Sequence, residues 1–333
     1  MKKRELSIDF LRAIAILLMT ITHVNALLYT GDNIILDIFT TAGATLCFSI
    51  FLFCSAYTVG LRIEENKKFD IKNTAKRILE IYLVYLVLGI FITFVLEKQI
   101  SLNTILNIVI LNYVPEFTEF LIAFIIFSFI PLIFQKQIKS LLSKPIYLIF
   151  LTILMYTIGI LIYNLISKYT LSDILRIPLE NIFGYKSLHR FPLTYYLPVY
   201  TFGILLSKYN SKKILISILL ISVILFTLLY SFEISHWYRW PPSPLFLLYG
   251  FIFIPLVLIK YTLLKNFLTK GVFKLFTNMG RYPLEQLFLS TLLVFLAKLL
   301  FLPTGNEILS ITVNISIFIL LMLHPIVFHR KMV

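Results

Sequence analysis

Long apolar runs separated by short polar segments dominate this chain. Apolar runs recur at 8–30, 34–61, 78–96, 119–135, 145–167, 191–207, 214–232, 243–260, 283–303 and 307–328. A helix needs about 20 mostly apolar residues to cross a bilayer, so the pattern predicts about ten membrane-spanning helices. A further apolar stretch, 100–114, is short and carries Asn103, Asn107 and Asn112. It reads as a re-entrant or interfacial helix. The expected fold class is an all-α polytopic membrane bundle, with residues 1–333 as one transmembrane domain. No connecting loop is long enough to hold a core of its own.

Composition supports lipid as the solvent. Of 333 residues, 59% are hydrophobic and only 14% charged, whereas a soluble domain is about half apolar and a quarter charged. The mean hydropathy is +0.92. The formal charge of +14 would suggest nucleic acid in a soluble domain. Here the cations sit between apolar runs, so no nucleic-acid partner is expected. With the N-terminus inside and ten spans, inner segments carry 22 of the 30 lysines and arginines and outer segments carry six. Arg12 and Lys298 lie within spans. That bias predicts both termini in the cytoplasm, and an eleventh span at 100–114 would invert every later loop.

The first run reads as a retained span. It is long, contains Arg12 and His23, and lacks a small-x-small cleavage site. Cys47 and Cys54, seven residues apart, fall on one helical face about 10 Å apart, too far for a disulfide. They read as small membrane-core residues. No set of His, Cys and carboxylates has structural-zinc spacing, so no metal ligand is expected.

Candidate chemistry concentrates in that first span. Intramembrane charge is costly, about 2.5–3.5 kcal/mol on insertion scales, and marks function by default. Arg12 and His23 are eleven residues apart, three turns plus about 20°, which places them on one face about 16 Å apart. Asp9 lies one turn before Arg12. Asp9 fits two roles equally, an orienting ion pair with Arg12 or a member of the site. Arg12 alone could snorkel to headgroups and His23 alone could be a core histidine; their alignment in one span favours function.

Further candidates are Asp37, either a support for His23 or a helix N-terminal charge, and Glu285, which could simply pair with Arg281 one turn earlier. Lys298 needs a partner from another element. His324-Pro325 reads as an inner-interface residue at a kink. Two outer loops, one holding His189 and Arg190, the other Trp237, Arg239 and Trp240, could stack on and bind a sugar acceptor, or form an aromatic interfacial belt.

The run Asp9-Phe-Leu-Arg12-Ala-Ile-Ala, continuing to His23, resembles the N-terminal motif of the acyltransferase-3 family of membrane acyltransferases. Phe51-Leu-Phe-Cys-Ser55-Ala-Tyr57, Lys76-Arg77-Ile-Leu-Glu-Ile-Tyr82, Phe191-Pro192 through Gly203, and Gly280-Arg281-Tyr282-Pro-Leu-Glu285 resemble later family motifs in the same order. The chain departs from the family pattern at Ala56, Glu80 and Ser290. The resemblance implies His23 and Arg12 as catalytic, with Asp9, Asp37, Ser55, Arg77 and Glu285 in support. It implies O-acyl transfer, of acetyl or succinyl type, in a bacterial cytoplasmic membrane. The donor would be an acyl-CoA co-substrate, with no bound cofactor, and the acceptor a cell-envelope or exported glycan. A glycan-synthesis complex is a further expected partner. The alternative is export of a polysaccharide or lipid-linked sugar, since some relatives in this size range resemble intercellular-adhesin export proteins.

Overall fold

The computed structural model describes residues 5–186, 190–233, 238–268 and 270–329. Among these the regular structure is helical: α1 (Leu6–Leu28), α2 (Ile34–Glu64), α3 (Ile71–Glu97), α4 (Leu102–Val109), α5 (Glu119–Leu142), α6 (Pro145–Ile166), α7 (Asp173–Phe183), α8 (Leu193–Lys208), α9 (Lys212–Ser231), α10 (Pro244–Leu268), α11 (Gly271–Met279), α12 (Pro283–Leu300) and α13 (Glu307–Phe328). Nine of the described helices are long and apolar enough to cross a membrane. The chain is therefore an all-α, multi-pass membrane protein. Outward-facing side chains such as Ile146, Phe150, Ile153 and Leu161 on α6, and Leu220, Ile221 and Ile224 on α9, are apolar and exposed, as lipid contact requires.

Local chemistry sets the helix ends. Asp70 caps α3 by accepting from the Asn73 N–H at 3.3 Å, and Lys98 ends it in the left-handed region at φ 57°. Proline at the first helical position opens α6 and α12. Asn306 caps α13 by accepting from the Ile308 and Leu309 N–H groups. Within α5, Pro131 lacks an N–H and Phe134 leaves helical dihedrals (φ −109°, ψ 18°). That irregularity coincides with the end expected for the span, near 135, and the helix then runs on to Leu142.

Three elements differ from expectation. The sixth expected span, 191–207, is α8, with 16 residues and a length of about 24 Å. It starts after Pro192, whose ψ of 138° is extended, and most of its residues are buried, so it does not need a long lipid-facing surface. The stretch 100–114, by contrast, keeps to the expectation that it does not span: it contains only the eight-residue α4, about 12 Å long. The Tyr85 hydroxyl donates to Ile108 O at 3.1 Å and ties it to α3. α7 and α11 are short helices inside expected loops.

The described residues fall into two compact units. The first comprises residues 1–54, 212–223 and 249–333, and the second 55–211 and 224–248. In the first, α1 packs against α11, α12 and α13, with Leu11, Ala13, Ala15, Ile16, Phe53 and Val294 fully enclosed. In the second, α6 and α8 run antiparallel. Gly159 lies so close to Thr194 that a Cβ would meet its Oγ1 at 2.5 Å, and Thr152 and Thr201 share a 2.9 Å hydrogen bond. Small residues allow this approach between membrane helices. Tyr85, Tyr196 and Tyr200 fill the core of this unit.

Candidate active site

The site is built on α1. Its pairing with the first part of α2 is antiparallel, with residue numbers summing to about 62 along the seam. Cys54 Sγ donates to Ile8 O and Cys47 Sγ to Ala15 O. Gly43 packs on Leu18 O, Thr22 Oγ1 donates to Thr40 O at 3.1 Å, and Asn25 Nδ2 donates to Leu36 O and Thr40 Oγ1. On α2 the seam reads 36, 40, 43, 47, 54, the three-four spacing of an interdigitating helix pair. Neither cysteine is in a disulfide and both are buried, on one face of α2 as their spacing implied.

Arg12 is pinned in place. Its Nη1 donates to the Asp9 carboxylate at 3.3 Å and its Nη2 to Cys54 O at 3.3 Å. Asp9 is 1% exposed and the Arg12 side chain 16%. The pair is buried, and a lone buried carboxylate would cost several kcal/mol without its cation. Behind Asp9, Gly280 presses on the α1 backbone so closely that a Cβ there would meet Asp9 O at 1.8 Å. The Gly280-Arg281-Tyr282 turn thus needs glycine to let α11 and α12 seat against α1.

The other end of α1 is held by several polar ties. His23 is half-buried. Two residues on, Asn25 is a four-way hub. Besides its two donations to α2, its Oδ1 accepts from Ser310 Oγ at 2.8 Å and Asn314 Nδ2 at 3.2 Å on α13. Lys298 Nζ donates to Leu27 O at 3.1 Å, so the cation of α12 caps the negative end of α1. Thr30 N–H donates to Thr304 O and Thr304 N–H to Leu28 O. Each interhelical tie is worth about 0.6 kcal/mol in a membrane, at most about 1.7. Together they fix the axial position of His23.

The remaining expected residues lie on α2, α3 and α12. Asp37 is exposed in the first turn of α2 and forms no hydrogen bond with His23. The α1-facing seam runs through Leu36 and Thr40, and Asp37 is turned about 100° off it. Ser55 is half-buried on α2 and Arg77 is exposed on α3, both in the second unit. Glu285 does not pair with Arg281; its Oε2 lies 2.8 Å from His329 Nε2 and 3.7 Å from His324 Nε2. Ser290 is buried and bonds back to Leu287 O within α12.

In the second unit, part of the expected acceptor region comes together. Phe191 meets the Trp240 ring edge-on at 4.8 Å, and the Arg239 guanidinium lies 4.8 Å above the same ring. Arg190 Nε donates to buried Glu180 at 2.5 Å, and the other carboxylate oxygen of Glu180 lies 3.9 Å from Arg176. Arg190 Nη1 and Arg239 Nε are buried with no hydrogen-bond partner among the described residues. His189 and Trp237 lie outside the described residues. Sequence reasoning missed Asn25 and Glu180. Asn25 carried a signal, a polar residue inside an apolar span two positions after His23.

A family model described as an acyltransferase domain matches residues 5–330. No curated protein and no solved structure matches the chain.

Proposed function

The chain belongs to the acyltransferase-3 family of membrane acyltransferases, and from that premise we propose that it transfers an acyl group from a cytoplasmic acyl-CoA to a hydroxyl of a cell-envelope or exported glycan. The observation that carries this reading is the arrangement of α1. Arg12 is held by Asp9 and a backbone carbonyl at one end of the helix. His23 stands about 16 Å further along the same face, fixed by the Asn25 hub. In this reading Arg12 binds anionic groups of an extended donor, as a forked cation does, and the donor's reactive thioester lies toward His23.

His23 serves as general base. Its imidazole takes the proton from the acceptor hydroxyl as that oxygen attacks the thioester carbonyl. The C–O bond forms, the C–S bond breaks, and the leaving thiolate takes the proton back from the imidazolium. The Trp240, Phe191 and Arg239 cluster offers an aromatic face and a guanidinium to a sugar ring. The lysine and arginine bias of the loops supports a cytoplasmic Arg12 end, the side from which this reading has the donor enter.

The test is the acyl content of envelope glycans, read by mass spectrometry in bacterial cells expressing wild type or His23→Ala at matched membrane levels. An ester-linked group present with wild type and absent with the variant supports the proposal, and the added mass names the group. Glycans of identical composition that differ only in the amount outside the cell would instead favour export.

A further inference from the structure

Three side chains unused by acyl transfer converge at the end of α12 and α13. Glu285 lies in the first turn of α12, His324 just before the last turn of α13, and His329 at the α13 C-cap. One ligand-type atom from each lies within 4.8 Å of the other two. Glu285 Oε2 is 2.8 Å from His329 Nε2 and 3.7 Å from His324 Nε2. Tetrahedral coordination at about 2.0–2.1 Å from a central ion puts neighbouring ligands about 3.4 Å apart, and these two separations bracket that value.

The surroundings fix the rings as ligand rings need to be fixed. Tyr282 stacks on His329 at 3.7 Å with only 8° between planes. The Gln286 carboxamide, fully buried, lies 3.2 Å from His324 Nδ1. Gln286 Oε1 has no hydrogen-bond partner. The Gln286 amide so engages His324 Nδ1, and the other nitrogen of that ring, His324 Nε2, is the one toward Glu285. Such an outer partner is what orients a metal-bound imidazole. The side chains of His324 and His329 are 13% and 21% exposed and that of Glu285 is 50% exposed, which leaves a way in for an ion.

We propose that Glu285, His324 and His329 bind a divalent cation of the zinc class, with water in the fourth position. Two imidazoles and one carboxylate suit zinc among the common cations. The site shares no residue with Asp9, Arg12 and His23 and stands apart from His23. Gly280 abuts Asp9, so the cluster belongs to the Asp9 end of α1, and fourteen residues, about 21 Å, separate Asp9 from His23. The cation ties the end of α13 to the start of α12, the turn that seats against Asp9.

The full chain, purified in phospholipid nanodiscs with an N-terminal tag free of histidine, is stripped with EDTA, exposed to zinc chloride and desalted. Elemental analysis is expected to find about one zinc per chain, with a higher unfolding temperature than the stripped protein. His324→Gln and Glu285→Gln are expected to hold none, and to unfold where stripped wild type does. Cobalt added to stripped wild type is expected to give the intense visible bands of tetrahedral coordination, a readout that needs no variant. Wild type without zinc after desalting, variants holding as much as wild type, or pale octahedral cobalt would each overturn the proposal, the second identifying adventitious metal only. None of these readouts depends on acyl transfer.

Discussion

Two arginines of this protein are held by buried carboxylates, and they are held differently. Arg12 and Asp9 share one helix, three residues apart, and meet at 3.3 Å. Arg190 reaches Glu180 across a helix end and a loop at 2.5 Å, and the second oxygen of Glu180 faces Arg176 at 3.9 Å. Charge-assisted hydrogen bonds close to about 2.7–2.9 Å when nothing else competes. The Arg12 contact is the longer of the two, and a second hold on Cys54 O stands beside it, whereas Glu180 sits between two arginines. The first pair is set by the helical repeat alone; the second needs separate segments to be brought together by the fold.

This contrast can be broken by substitution. Glu180→Ala removes the shared partner of two arginines and leaves Arg190 buried with uncompensated charge, which should cost about 3–5 kcal/mol. The expected result is a large fall in unfolding temperature and in membrane level. Asp9→Asn keeps an acceptor for Arg12 but removes the opposing charge. A hydrogen bond to a charged group is worth about 1.5–3 kcal/mol, so stability should fall by less than in Glu180→Ala, while acyl transfer falls further than stability accounts for. Asn25→Ala cuts the hub that places His23 and should cost about 0.6–1.7 kcal/mol per lost tie; the transfer rate should drop with donor affinity unchanged. Asp37→Asn, at an exposed position off the α1 seam, should stay within ~0.5 kcal/mol of wild type in heat stability and retain full transfer. A large effect of Asp37→Asn on activity would restore it as a support of His23.

The parts of this site that one helix carries were readable in the sequence. Asp9, Arg12 and His23 sit on α1, where the 3.6-residue period fixes their relative angles, and the cysteine spacing on α2 put both thiols on one face. Parts assembled from separate elements were not readable. Glu180 belongs to α7, eleven residues carrying Pro178, without the apolar length that announces a span. Glu285 is far in sequence from His324 and His329, so only the meeting of α12 and α13 brings the three together. α8 was visible as an apolar run, but its start was set by Pro192 rather than by Phe191. Arg77 and Ser55 resembled family motifs, yet their second-unit positions give no geometry toward His23.

The division of labour along α1 is tested most directly by measuring donor binding and acyl transfer separately on the same reconstituted proteins. His23→Ala should bind acyl-CoA as wild type does and lose transfer by about 10²–10⁴-fold, the ordinary contribution of a general base. Arg12→Gln should lose donor affinity, by about 10–100-fold for one charge-assisted contact. Full transfer by His23→Ala, or loss of binding by His23→Ala with none by Arg12→Gln, would contradict the assignment of base and donor anchor to the two ends of this helix.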